Sequence, residues 1–175
     1  MLAALQGRTW TADEADVEQV AEQVEVTGYP TGVVVRFGGA RYAVDMACVA
    51  EVVQVPPTSR VPGCPRWLAG VVNWRGRVLP VVDPRSLLGA EPLRLPSSAR
   101  LLVLSVDGVE AGLVVEAVAG LLEAGDQTPA LAPATASSTA TSRVLGVVAD
   151  ASGPLSLLDA HALLRLRAEL PSARR

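Results

Sequence analysis

Residues 70–88 read GVVNWRGRVLPVVDPRSLL, and residues 146–164 read GVVADASGPLSLLDAHALL. The two align without a gap, with identities at Gly70/Gly146, Val71/Val147, Val72/Val148, Leu79/Leu155, Asp83/Asp159, Leu87/Leu163 and Leu88/Leu164. Self-similarity at this distance marks one structural unit used twice. Each copy holds a Val-rich run, a turn, a second apolar run, an Asp and a short stretch ending in Leu-Leu. Val favours strands because its branched Cβ suits a pleated surface. An Asp just before a helix accepts hydrogen bonds from the free N–H groups of its first turn. Pro84, next in line, fits the first helical position, where its missing N–H costs nothing. Each copy therefore predicts strand, turn, strand, Asp cap, short helix. The second helix is expected over about 160–170, stopped by Pro171.

Upstream, the chain repeats again. Val33, Val35 and Phe37 precede Gly38-Gly39 and a second run over 40–45, while 101–106 and 109–115 flank Asp107-Gly108. Both are hairpin signals, since tight hairpin turns need positive φ. A further hairpin is expected over 149–158 around Ser152-Gly153. The offset between copies is 69 at Gly39/Gly108 and 76 at Gly70/Gly146. The second copy is thus longer, and the insertion falls in the Pro/Ala/Ser/Thr stretch 125–142, which reads as a mobile surface loop. The expected organisation is two similar β units in tandem, the first over about 32–90 and the second over about 100–165.

Residues 1–31 read as an appendage. Within the acidic segment 13–26, Val17, Val20, Ala21 and Val24 fall at helical spacing, and Thr11 with Glu14 forms a capping-box pattern. One short amphipathic helix is expected, closed by Gly28 and Pro30. It either packs on the domain or serves as a partner-binding arm.

Composition narrows the function. Half of the 175 residues are hydrophobic and mean hydropathy is +0.34, enough for a core. Only 3% are aromatic, so Val and Leu must fill it. No apolar run is long enough for a membrane span. The N-terminus lacks the basic start and apolar stretch of a secretory signal, which makes the cytoplasm the expected location. The fifteen basic residues are all Arg, scattered, with a net charge of −3. Nucleic-acid binding needs a clustered basic face, so it is not expected. Cys48 and Cys64 have no metal-ligand spacing and are expected as buried, inert thiols. His161 has no carboxylate or nucleophile beside it in the pattern. No G-x-S-x-G, phosphate loop, zinc spacing or dinucleotide fingerprint occurs. The reading is a binding protein, not an enzyme, with no catalytic residue, metal or cofactor.

The two copies differ most in their turns. The first carries Asn73-Trp74-Arg75-Gly76, the second Ala149-Asp150-Ala151-Ser152. Trp and Arg are enriched among residues that dominate binding interfaces. Glu51, whose counterpart is Gly120, is the carboxylate with which Arg75 would pair. A structural pair and a partner-facing loop are compatible.

Residues 61–83, VPGCPRWLAGVVNWRGRVLPVVD, resemble the signature of the CheW-like coupling proteins of bacterial chemosensing: two prolines, Gly-Val-Ile-Asn-Leu-Arg-Gly, and a strand ending Pro-Val-x-Asp-Leu. Arg41-Tyr-Ala-Val-Asp45 and Val49-Ala-Glu51-Val-Val are similar to two upstream segments of that family, and 101–118 and 145–164 to its second half. The resemblance covers about 33–166, within a CheW-like domain placed at 32–170. It implies an all-β fold of two packed five-stranded SH3-like barrels with short helices and a C-terminal helix. It also implies an adaptor joining the cytoplasmic tips of methyl-accepting chemoreceptors to a histidine kinase of the CheA type. Such a protein is cytoplasmic, recruited to membrane-associated arrays without inserting in the membrane. By matching position, Val49, Glu51, Gly70, Asn73, Arg75 and Gly76 fall on the receptor groove or its support. Trp74 stands where Leu is usual and is added to that set. The second reading is an auxiliary CheW-like scaffold for another output, such as pilus motility or protein localisation. An enzyme or small-ligand binder using the inter-barrel groove and an RNA-binding barrel are the remaining, weaker classes.

Overall fold

The computed structural model describes residues 31–88, 95–123 and 143–166. The expected N-terminal helix, the 125–142 loop and the end of the last helix lie outside the described residues. The described chain forms strands β1 (Gly32–Phe37), β2 (Ala40–Asp45), β3 (Val49–Gln54), β4 (Leu68–Trp74) and β5 (Arg77–Val82), then helix α1 (Pro84–Leu87). Strands β6 (Arg100–Val106), β7 (Val109–Val115), β8 (Ala117–Leu122), β9 (Val144–Asp150) and β10 (Gly153–Leu158) follow, then helix α2 (Ala160–Arg165).

Turn chemistry sets the hairpins. In β1–β2, β4–β5 and β6–β7 the strands are joined by two residues, and both have positive φ: Gly38 and Gly39 at 58° and 77°, Arg75 and Gly76 at 54° and 77°, Asp107 and Gly108 at 51° and 77°. That is the turn whose twist matches paired strands. In β9–β10 the two joining residues are Ala151 and Ser152, one position earlier than the sequence pattern implied. Asp83 and Asp159 cap α1 and α2, accepting from Arg85 N–H at 3.1 Å and Ala162 N–H at 3.0 Å.

The strands form two five-stranded sheets, ordered β8-β1-β2-β10-β9 and β3-β6-β7-β5-β4. This corrects the expectation of tandem barrels at 32–90 and 100–165. Each half of the sequence lends its first hairpin to the sheet of the other. Replacing each strand by its counterpart five places along converts one order into the other, so the repeat is genuine while the pairing is exchanged. The chain crosses between sheets after β2 and after β7. At the first crossing a 3-10 turn (Met46–Cys48) is capped by Asp45, whose carboxylate accepts from Ala47 N–H at 2.8 Å. At the second, Glu116 N–H donates to Arg36 O at 2.9 Å, and its carboxylate accepts from Gly38 N–H at 3.0 Å. Parallel β2–β10 and β5–β7 contacts then join the halves inside each sheet.

Core patterning follows from this exchange. Val34, Ala43, Val148, Leu155 and Leu157 cluster together and all belong to the first sheet. Val72, Leu79, Val81, Leu101, Val103 and Val114 cluster likewise within the second. A sheet that buries one face against itself is curled into a barrel. The opposite faces meet in a third cluster, including Val33, Val35, Phe37, Leu102, Leu104, Leu113 and Leu158, closed by Leu163 and Leu164 of α2. Val33–Val35 of β1 and Leu101–Leu104 of β6 are thus buried on both faces, which is why they read as unbroken apolar runs. The architecture is all-β: two packed, SH3-like, five-stranded barrels with short helices.

Candidate partner-binding site

Strands β3 and β4 are the two ends of the second sheet, and the candidate site lies where they meet. A register shift in the β3–β6 pairing falls between Val49 and Glu51: Val49 opposes Leu104, whereas Glu51 opposes Val103. Such a bulge re-aims the side chains that follow it. Val49 therefore packs against the core between the sheets, while Val53, two residues beyond Glu51, packs inside the barrel. Glu51 shares the face of Val53 and stands at the barrel rim.

Across the seam, the β4–β5 turn presents the partners of Glu51. One carboxylate oxygen, Oε2, accepts from Trp74 Nε1–H at 3.1 Å and from Arg75 Nη2–H at 3.0 Å. The Arg75 guanidinium carbon lies 5.1 Å from the centre of the Trp74 ring, within cation–π range. Trp74 itself is half-buried against the barrel core. These contacts fasten the two end strands of the sheet to each other. Edges left open are liable to pair with other chains, so the clasp has a structural role. In the other barrel Gly120 stands at the position of Glu51, and the clasp is not repeated.

The turn is also strained. An L-residue in the left-handed region costs about 1 kcal/mol, and Arg75 sits there where Asn or Gly would fit with less strain. Asn73 Oδ1 accepts from Gly76 N–H at 2.9 Å and holds the turn closed. The Arg75 side chain remains 69% exposed, so its ion pair with Glu51 is solvent-screened and contributes little to stability. Beside it, Arg77 pairs with Glu110 at 3.0 Å, a second arginine on the same rim.

Of the seven residues read from sequence, the structure brings together Glu51, Asn73, Trp74, Arg75 and Gly76. The expected Arg75–Glu51 pair forms. Gly70 belongs to a separate support. It is buried, with φ at 146°, and a Cβ there would lie 2.4 Å from Ser59 O. Residues around Ser59 strap across β4, exchanging two hydrogen bonds with Val71 at 2.8 and 2.9 Å. Sequence reasoning missed the Trp74–Glu51 bond and the Arg77–Glu110 pair. The second depends on the parallel β5–β7 pairing, which no local pattern announces.

A further polar cluster was also missed. Arg85 is buried, its Nε–H donating to Asp83 Oδ1 at 2.9 Å and its Nη2–H to Asp83 Oδ2 at 2.7 Å, with Glu116 Oε1 3.8 Å from Nη1. The hydrogen bond to Asp83 raises the Arg85 pKa above its usual value, against an opposing effect of burial. Cys48 is buried in the inter-sheet core, and burial followed by Asp45, Asp159 and Asp107 pushes its thiol up, so it is inert at neutral pH. Cys64 is only half-buried, contrary to expectation. His161 is exposed on α2. Among the described residues no group of three His, Cys, Asp or Glu could hold a metal ion, and no helix is long and apolar enough to cross a membrane.

The family model described as CheW-like domain matches residues 31–168. The chain belongs to the CheW-like family. Protein PilI of Pseudomonas aeruginosa is 38% identical over 101 residues, which span 58% of this chain and 56% of PilI. Protein FrzA of Myxococcus xanthus is 32% identical over 144 residues, covering 79% of this chain and 88% of FrzA. Chemotaxis protein CheW of Bacillus subtilis is 24% identical over 132 residues, covering 75% and 85%. In fold, the CheW-like chain is similar to the crystal structure of scaffolding protein TtCheW from Thermoanaerobacter tengcongensis. The TM-score is 0.68 at 23% identity, with 74% of this chain and 84% of that one covered.

Proposed function

We propose that this CheW-like protein is a non-enzymatic adaptor. It couples the cytoplasmic tips of methyl-accepting chemoreceptors to a histidine kinase of the CheA type in a chemosensory array. The observation that carries the reading is the rim of the second barrel in a chain of this family: an exposed guanidinium held over an indole, both tied to one carboxylate, on a turn strained to place them. Trp and Arg are the residue types that dominate interfaces, and a rigid barrel positions them at little entropic cost on binding. Two barrels offer separate surfaces. One molecule engages receptor and kinase together and raises the effective concentration of each for the other. Kinase output then follows receptor state if the bridge binds the two states unequally. The protein is cytoplasmic and reaches the membrane only through the array.

Glu51, Asn73, Trp74, Arg75 and Gly76 form the receptor-facing rim in this reading, with Val49 and Gly70 supporting it from the core and the strap. The test compares wild type with Arg75→Glu in a pull-down from the organism's own cells, read by mass spectrometry, with Tm measured in parallel. Receptor and kinase are expected with wild type. With the variant the receptor is lost and Tm changes little. Absence of both partners from the wild-type sample, under conditions that preserve arrays, refutes the coupling role. A second reading is supported by the similarity to PilI and FrzA, at 38% and 32% identity. It is a CheW-like scaffold serving a different chemosensory output, such as pilus motility or protein localisation. The same pull-down distinguishes the two by which receptor and kinase appear.

A further inference from the structure

Two donors meet at one oxygen of Glu51, and they differ in kind. Arg75 is mobile in principle: its side chain is long, charged and mostly exposed. Trp74 is more confined, because its half-buried ring packs against the barrel core while its indole N–H reaches Glu51. The turn that carries both is held by Asn73 through Gly76 N–H and does not depend on the Arg75 side chain. Moving the guanidinium off Glu51 therefore leaves the closure of the turn intact. A half-buried carboxylate stripped of every donor would carry a desolvation cost. Here it keeps the indole N–H.

We propose that Trp74 is a positioning residue that lets Arg75 be handed from Glu51 to a carboxylate on the partner. The occupant is an acidic side chain of a protein surface. The planar guanidinium fork matches a carboxylate in two parallel hydrogen bonds. Arg75 already binds one in the free protein, and Arg77, across the same turn, binds another, Glu110. Glu51 is then an internal competitor for Arg75, and Trp74 sets how firmly it competes by holding the carboxylate in place. The inference rests on the adaptor reading only for who the partner is; the redundancy of the two donors is a property of the free protein.

The experiment has two arms. In the first, thermal unfolding is followed for wild type, Trp74→Phe, Arg75→Leu and the double variant, each with Glu51 and with Glu51→Gln. Phe keeps the ring and removes the N–H. Trp74→Phe is expected to lower Tm by about 2–4 °C, and Arg75→Leu by less, because its exposed ion pair contributes little. The double change should lower it by clearly more than the sum, because only then does Glu51 lose both donors. With Glu51→Gln the excess should vanish. Additive losses with Glu51 intact overturn the proposal whatever the function.

In the second arm, the purified signalling-tip fragment of a chemoreceptor from the same organism is titrated by calorimetry. Trp74→Phe is expected to weaken binding about tenfold, with binding to the kinase's regulatory domain unchanged. In the Glu51→Gln background, where no carboxylate competes, the same change should have no effect. An equal loss in both backgrounds means that the indole contacts the partner directly, and the hand-over is wrong. No binding of the receptor fragment to wild type refutes the adaptor reading and with it the partner half of this one, while the first arm still decides whether Trp74 and Arg75 share Glu51.

Discussion

Replacing Asp83 by Ala should destabilise the protein far more than replacing Asp159 by Ala, although the two occupy the same place in the repeat. Both cap a short helix, with side-chain acceptor distances of 3.1 and 3.0 Å. Loss of such a cap costs about 1 kcal/mol. Asp83 also holds the buried Arg85 through two hydrogen bonds, and both side chains are almost wholly out of solvent, at 4% and 8% exposure. Removing one member of a buried pair costs about 3–5 kcal/mol, because the other charge loses its paired carboxylate. Glu116 lies farther off, at 3.8 Å from Nη1. At Asp159 the residue in Arg85's place is His161, which is exposed. For a domain of this size 1 kcal/mol corresponds to about 2–4 °C in Tm. Asp83→Ala is therefore expected to lower Tm by about 6–20 °C and Asp159→Ala by about 2–4 °C. Thermal unfolding by circular dichroism measures both, with urea unfolding as the check on cooperativity. Equal losses would refute the reasoning, since the Arg85 pair would then add nothing to the cap.

Three further outcomes are expected. Gly70→Ala should cost more than about 2 kcal/mol, because its Cβ would meet Ser59 O at 2.4 Å on a backbone already at positive φ; chemical denaturation reads the loss, and a Tm within 2 °C of wild type, roughly, contradicts it. Stability should fall as pH rises past about 9: Cys48 is normally 9.0 and is raised in the fold, so above 9 the unfolded chain releases a proton that the folded one retains, and Cys48→Ala should flatten that slope in denaturation curves measured between about pH 7 and 10. Leu102→Ala, at the centre of the inter-sheet core with no exposure, should cost about 2–5 kcal/mol in the same assay.

Strand content was readable because each strand carries its own signal. Val33, Val35 and Phe37 alternate toward a turn of two residues with positive φ, and that pairing of local pattern with turn chemistry survives in any tertiary context. The caps at Asp83 and Asp159 were readable for the same reason. The exchange of hairpins was not, because β1–β2 is compatible with either sheet until the crossings at 46–48 and at Glu116 are known, and neither crossing has a pattern of its own. The site was legible to the same depth. Arg75 and Glu51 could be paired from the asymmetry between the repeats, since Gly120 stands opposite Glu51. The shared oxygen could not, because it depends on the bulge after Val49 that turns Glu51 toward the rim. Val49 and Gly70 carried the family resemblance but serve the core and the strap, which sequence position alone does not separate from the rim.

The exchange of hairpins bears on what such a protein can transmit. Had each half closed its own barrel, the two would meet only across one apolar surface and be joined by a single linker, and relative motion would be the natural expectation. Here the backbone passes between the barrels twice, after β2 and after β7. Each crossing is fixed by hydrogen bonds: Asp45 to Ala47 at one, Glu116 to Arg36 and Gly38 at the other. Glu116 also faces the buried Arg85, so the second crossing is tied to α1 of the opposite barrel. A displacement imposed on one barrel then has a covalent and hydrogen-bonded route to the other through these crossings. For an adaptor this is the useful property. In the proposed role, a partner at the Arg75 rim and a second partner elsewhere on the molecule would be held at a fixed angle, so a change in the first would be felt by the second as a change in geometry.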